Sequence, residues 1–358
     1  MKNKILFFIP QMVGGGAEKV TVNIMKLLDK TLYDLHLVTL DEGPAMAHVP
    51  DHVTVHLLHA KKTLYSLFQL RQKIRELQPH IVFSSLLRGH IALTLALIGI
   101  RNKPTVILRS PNSPKLLIEN AQLSPTMKYL TELAYTRADK IIAQTPEMKA
   151  EITHYHHIDP TKINVLINPI DSADIDKKIT NQPNPFDPKH INVIAAGRLL
   201  YQKGFDVLID SFTKVIERNP LFRLYIIGED VSGMKASLEQ QVTILKLDPY
   251  ITFLGYQPNP YPYFKHADVY ALSSRWEGLP NTVLESLYLQ TPVIATRCIP
   301  YLSELIQDGD NGYLVEVEDA QGLADAILQI KEIKHLFTSS TNSQEILSSL
   351  FNQGDKTL

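Results

Sequence analysis

Cysteine is almost missing from this chain: of 358 residues, only Cys298 carries a thiol. That excludes an internal disulfide framework and any zinc or iron–sulfur centre built from clustered cysteines. Long apolar runs are missing too. The longest, residues 91–100, is about half of the ~20 residues a helix needs to span a bilayer. The apolar run in MKNKILFFIP is too short for the core of a secretory leader. No G-x-x-x-x-G-K-[ST] loop occurs, which excludes a P-loop nucleoside triphosphatase. The glycine triplet at 14–16 fails the dinucleotide fingerprint because Lys19 stands where the last glycine belongs. No repeat or low-complexity tract is present. What remains is an ordinary globular composition, 44% hydrophobic and 20% charged. It is long enough for two domains and expected in the cytoplasm.

Charge of one sign is scarce in each half. The net charge of -1 divides into 20 Lys/Arg against 13 Asp/Glu over residues 1–170, and 16 against 24 over 171–358. A basic first half suits an anionic partner, although solvated charged faces would give the same count.

Short apolar runs alternate with helix-period segments throughout. Residues 5–9, 35–40, 53–57, 81–83, 105–108 and 140–143 read as strands, and 18–28, 64–77 and 127–135 as amphipathic helices. Such alternation predicts βαβ units and parallel sheets. The stretch TNQPNPFDPKH then reads as a linker, with Pro183, Pro185 and Pro188. The pattern restarts with strands at 191–196, 224–227, 251–254, 269–272 and 293–295, and helices near 207–217 and 282–289. Two tandem doubly wound α/β domains are therefore expected, at 1–172 and 190–338. Residues 339–358 carry an apolar stripe (Ile346, Leu347, Leu350, Phe351) that predicts a terminal helix or tail.

Three segments carry residues suited to chemistry. Gly14-Gly15-Gly16 joins the first strand to the first helix, where glycines admit a phosphate to the helix N-terminus. The same glycines would also serve a tight turn with no ligand. Arg198 and Lys203 follow the first strand of the second domain, at the edge where parallel sheets bind ligands. An Arg fork and a Lys point charge together suit a pyrophosphate, though either is equally readable as a surface charge. Glu277-Gly278-Leu279-Pro280-Asn281-Thr282-Val283-Leu284-Glu285 places two carboxylates eight apart around a turn and a helix start, with Asn281 as the expected N-cap. Carboxylates accepting paired hydrogen bonds suit sugar and ribose hydroxyls. A capped helix with one dipole-stabilising Glu is the plainer reading.

GGGAE, NPID, GRLLYQKGFD, IIGED, FLGY and EGLPNTVLE occur in an order that resembles the family-4 retaining glycosyltransferases. The resemblance covers nearly the whole chain. It implies the GT-B fold, two facing Rossmann-like domains with a cleft between them. It also implies metal-independent transfer of a sugar, probed best as a UDP-sugar, with retention of configuration. No cofactor beyond that nucleotide sugar is implied. By resemblance, Arg198 and Lys203 would hold the diphosphate, with Gly197 beside them, and Glu277 would face the donor sugar. Gly278, Leu279, Pro280, Asn281 and Thr282 would lend the loop's polar groups, and Glu285 would take the ribose. Gly255 and Tyr256 would lie near the base, and Gly15 and Gly16 near the phosphates. Many relatives carry a His after the strand that here reads VILRSPNSP; Arg109 and Asn112 stand there instead. That departure is more like relatives acting on N-acetylhexosamines and lipid-linked glycans. A nucleotide-sugar epimerase of similar layout and a non-catalytic glycan-binding protein remain as alternatives.

Two further features have plain readings beside functional ones. His154, His156 and His157 invite a metal, but without carboxylate partners they read as a polar helix end, and no metal is expected. Lys61, Lys62, Arg71, Lys73 and Arg75 flank Leu64, Leu67, Phe68, Ile74 and Leu77. This is either a packed helix with a solvated basic face or a surface for the cytoplasmic face of an anionic inner membrane. No nucleic-acid partner is expected.

Overall fold

A computed structural model describes residues 2–115, 124–330, 347 and 349–351. Two compact units emerge, Met1–Ile170 with Thr341–Leu358, and Asp171–Ser340.

The first unit holds a parallel sheet of seven strands: β1 (Asn3–Phe8), β2 (Tyr33–Thr39), β3 (Thr54–Leu57), β4 (Ile81–Ser84), β5 (Thr105–Arg109), β6 (Lys140–Ala143) and β7 (Ile163–Val165). Their order is β3-β2-β1-β4-β5-β6-β7, so the winding direction reverses between β1 and β4. Both faces of the sheet are covered, which is why β1 and β4 are almost continuously apolar rather than alternating. The helices are α1 (Gly16–Leu27), α2 (Leu67–Leu77), α3 (Leu87–Ala96), α4 (Pro125–Arg137) and α5 (Pro146–His156). Ser124 and Thr145 cap α4 and α5 through side-chain oxygens, each with Pro at the first helical position.

The single helix expected over 64–77 is broken. Thr63–Ser66 forms a 3-10 turn, and the α-helix begins at Leu67. Most of the expected terminal segment 339–358, including Ile346, lies outside the described residues. Of its stripe, Leu347, Leu350 and Phe351 are buried in the first unit, with the Phe351 ring 6.3 Å from Phe7 and 6.0 Å from Phe83.

The second unit carries six parallel strands: β8 (Ile191–Ala196), β9 (Phe222–Ile227), β10 (Ile251–Gly255), β11 (Val269–Leu272), β12 (Val293–Thr296) and β13 (Gly312–Val315). The order β10-β9-β8-β11-β12-β13 reverses between β8 and β11. Its helices are α6 (Ser172–Ile179), α7 (Phe205–Arg218), α8 (Met234–Ile244), α9 (Tyr261–His266), α10 (Asn281–Tyr288), α11 (Leu302–Leu305) and α12 (Ala320–Leu328). The stretch expected as a linker is instead anchored to this unit. Within it, Phe186 packs its ring 4.8 Å from Tyr225 and 5.9 Å from Tyr263; just before it, Asp171 caps α6 and Asn259 donates to the Lys178 carbonyl. The prolines therefore do not free the chain, because Phe186, three residues after Pro183, is buried.

Candidate active site

In an open parallel sheet, ligands sit beyond the carboxyl ends of the strands where the winding reverses. In the second unit that point lies between β8 and β11, and the two strongest sequence segments follow these two strands. Gly197 and Arg198 leave β8, Tyr201–Lys203 makes a 3-10 turn, and Gly204 opens α7. From β11 the chain runs through 273–280 into α10.

The two segments are bound to each other. Gly204 sits at φ +60°, and a Cβ there would lie 2.1 Å from the Ser273 carbonyl oxygen, so only glycine permits the approach. Lys203 Nζ donates to Glu277 Oε1 at 2.5 Å, and Ser274 Oγ donates to the same oxygen at 2.7 Å. Gln202 Nε2 donates to the Trp276 carbonyl at 2.8 Å and to Glu277 Oε2 at 3.4 Å. Arg198 is exposed, and no described residue pairs with its guanidinium. The arrangement therefore pairs a seated cation with an open one, a form suited to two neighbouring phosphates.

Pro280, not Asn281, occupies the N-cap of α10, with no side-chain capping bond; Asn281 is the first helical residue. The extended backbone of Pro280 fits it to that place, since its missing N–H would be unsatisfied there anyway. Glu285 lies one turn on and is buried, at 2% exposure. Thr282 Oγ1 receives the Tyr270 hydroxyl at 2.6 Å. Burial pushes the Tyr270 phenol up, and the nearby Glu277 and Glu285 charges add to this, so it stays a neutral donor. Gly278 and Leu279 complete the turn. Cys298 lies close enough to Glu277 for that charge to add to the effect of burial, which pushes its thiol up to about 12. A thiol so shifted stays protonated at neutral pH. At the end of β10, Gly255 takes φ +67° and Tyr256 stands exposed.

In the first unit, Gly15 is the N-cap of α1 in an extended conformation without a side-chain cap. A Cβ on Gly15 would meet the Glu18 carboxylate at 2.7 Å. Gly16 begins the helix. Arg109 ends β5 with 2% exposure; its NH2 donates to Asn168 Oδ1, while NH1 has no partner among the described residues. Burial alone lowers its pKa, to about 10, so it stays a cation at neutral pH. Asn112 is exposed in the loop that follows, where its carbonyl accepts from Ser110 Oγ at 3.0 Å. The His cluster at 154–157 does not converge. His156 is buried against the Tyr135 ring at 5.0 Å, and among the described residues no group of three His, Cys, Asp or Glu could hold a metal.

Sequence reasoning missed Arg275, Asp206, Glu318, Gln202 and Asn168. Of these, Arg275 had a signal, standing directly before Trp276 and Glu277. Asn168 lay in the quoted NPID motif without a role assigned to it.

The residue patterns match known families in both units. Residues 14–174 match the model described as Glycosyltransferase Family 4, and residues 190–332 the model described as Glycosyl transferases group 1. A Rhizobium meliloti lipopolysaccharide core biosynthesis glycosyltransferase is 30% identical over 72% of this chain and 74% of its own. A Campylobacter jejuni N-acetylgalactosaminyltransferase, named for a diphospho-undecaprenol-linked acceptor, is 24% identical over 98% and 96%. Among solved structures, an Anabaena protein in complex with UDP and glucose superposes with a TM-score of 0.76 at 20% identity, covering 98% of this chain and 96% of that one. The doubly wound pair of sheets is that of the GT-B glycosyltransferases. The chain belongs to the family-4 glycosyltransferases.

Proposed function

We propose that this enzyme is a retaining, metal-independent glycosyltransferase that takes an N-acetylhexosamine from a UDP-sugar and gives it to a hydroxyl of a lipid-linked or surface glycan. The observation that carries this reading is the open Arg198 beside the Lys203–Glu277 pair at the winding reversal of the second sheet. The UDP-bound structural neighbour and the lipid-linked acceptor in the relative's name support the choice of substrates.

In the reaction so read, the acceptor oxygen forms a bond to the sugar's anomeric carbon on the face from which the UDP oxygen departs. The acceptor proton passes to the leaving phosphate, so no protein nucleophile is needed. Arg198 and Lys203 take up the charge that develops on the diphosphate. Stabilisation by fixed charges of this kind costs no reorganisation during the reaction. Glu277 and the turn to Thr282 orient the sugar, Glu285 the ribose, and Gly255 and Tyr256 the base.

In this reading Arg198, unpaired among the described residues, and Lys203, whose charge is shared with Glu277, take the part that a divalent ion plays in other transferases. The test is a panel of UDP-sugars read first by thermal shift, then by transfer to short glycan and lipid-diphosphate acceptors with and without EDTA. Transfer that survives EDTA and keeps the anomeric configuration is the expected result. Conversion of the donor alone into its epimer would replace this reading with the epimerase one. Loss of activity restored only by Mn²⁺ or Mg²⁺ would overturn metal independence.

The first unit also carries a surface suited to a membrane that holds such an acceptor. Leu64, Tyr65 and Phe68 are 65%, 67% and 76% exposed, beside the exposed Lys61 and Lys62. Apolar tips next to lysines match the boundary between acyl chains and anionic headgroups.

A further inference from the structure

The Arg275 side chain makes five hydrogen bonds within the second unit, and no role in the reaction attaches to it so far. Its guanidinium holds three separate segments. Nη1 and Nη2 grip both oxygens of Asp206, in the first turn of α7, at 2.9 and 2.7 Å. Nη1 also donates to the Tyr201 carbonyl at 2.6 Å, at the start of the turn that ends in Lys203. Nε and Nη2 reach Glu318, just before α12. The plane of the fork lies over the Tyr201 ring, 3.8 Å from its centroid. The backbone follows suit: the Arg275 N–H donates to the Gln202 carbonyl at 2.8 Å.

We infer that Arg275 is a positioning residue that fixes the 201–203 turn against the 274–277 loop and so sets Lys203, and Arg198 before it, at the places the diphosphate requires. The inference rests on reading those two cations as the diphosphate's partners. Arg275 has no donor left for substrate, since every N–H direction of its fork that faces these segments is already taken. A lysine cannot replace it, because a single ammonium cannot grip Asp206 with two parallel bonds while reaching Tyr201 and Glu318. A strap of this kind acts through distance: misplacing a charge by about 1 Å can cost on the order of a hundredfold in the step it serves.

The experiment compares UDP with uridine on the full chain, by calorimetry and by the fluorescence of Trp276, the only tryptophan. Its ring lies 6.1 Å from that of Tyr201. Amide exchange across residues 198–206 is followed in parallel. In Arg275→Gln and Arg275→Lys, UDP affinity falls by roughly tenfold or more while uridine affinity holds, and the 198–206 amides exchange faster. If these variants do not fold, Glu318→Gln, which keeps the Asp206 grip, shows a smaller loss confined to UDP. Equal losses for UDP and uridine would mark Arg275 as structural only and overturn the inference, as would unchanged UDP affinity in a folded variant. Wild type that binds UDP no better than uridine would defeat the reading of the two cations, and this inference with it.

Discussion

The ammonium of Lys203 and the carboxylate of Glu277 form an ion pair at 2.5 Å, with the two side chains 18% and 9% exposed, whereas Arg198 five residues earlier is exposed and unpaired among the described residues. The two cations that the sequence presents as equals therefore differ in what their removal does to the fold.

Arg198→Ala should lower turnover by roughly 10²–10³ while leaving stability within about 0.5 kcal/mol of wild type. Lys203→Ala should cost a similar factor in turnover but also destabilise, because the Glu277 carboxyl is then left in a mostly dry site without its cation. Kinetics and urea unfolding on both variants check this. Near-normal turnover in both would remove them from the reaction. In a Lys203→Ala/Glu277→Gln double variant the two turnover losses should not multiply, since the partners act as a unit.

Gly204→Ala tests the close approach of the two segments. The new methyl would have to enter space held by the Ser273 carbonyl, at a φ that alanine rarely adopts. A loss of about 2–3 kcal/mol in unfolding free energy is expected, with UDP binding weakened in the fraction that folds. Full stability together with full UDP affinity would show that the 273–280 loop does not need this contact.

Acid should weaken the first unit through His90 and His156. Burial is the main cause in both, lowering each from 6.5 to about 4; the Arg109 charge adds to it at His90, and Lys128 and His157 at His156. A histidine with a depressed folded pKa binds fewer protons folded than unfolded below pH 6.5. Its neutral packing therefore stabilises fully above that value and is lost progressively as pH falls toward 4. Between pH 7 and pH 5 each should cost about 2 kcal/mol. Urea titrations at the two pH values measure it, with His156→Phe as the variant that should flatten the slope. An unchanged slope in that variant would mean that His156 titrates normally.

Short apolar runs such as ILFF and VIAA made most strands legible, because strands buried on both faces are apolar without a break, and the 3.6 period made five of the helices legible. β7 and β13 were harder to see. Each is a brief edge strand, and half-exposed positions such as Asn164 and Tyr313 blur its pattern. The residues proposed to hold the donor could be picked out for a related reason: Arg198, Lys203, Glu277 and Glu285 sit within two short segments whose glycines and proline advertise a turn. Arg275 could not, because its partners Asp206 and Glu318 lie 69 and 43 residues away and only folding brings them together. The linker reading failed at Phe186, where composition suggested freedom and one buried ring removed it.

The basic stretch 61–77 gains a sharper test from the structure. Two of its cations are not available to a partner surface: Arg71 turns its guanidinium to the Ala96 and Ile98 carbonyls at the end of α3, and Lys73 pairs with Glu76 at 2.8 Å. Leu70 and Ile74 carry the packing against the core, which leaves Leu64, Tyr65 and Phe68 outside it. Docking on an anionic bilayer would then combine insertion of those three apolar side chains with attraction by Lys61, Lys62 and Arg75. Each basic side chain contributes about 1 kcal/mol near such a surface, and the attraction is screened within about 8–10 Å at physiological salt. Wild type should co-sediment with vesicles containing phosphatidylglycerol at low salt, and less as salt rises. Lys61→Gln/Lys62→Gln/Arg75→Gln should abolish the salt-dependent part. Phe68→Ser should weaken binding at every salt concentration, because the apolar contribution does not depend on screening. Neither substitution touches the second unit, so UDP affinity should stay at its wild-type value in both. Wild type that ignores anionic vesicles at low salt would remove the membrane from this reading and favour an acceptor met in solution.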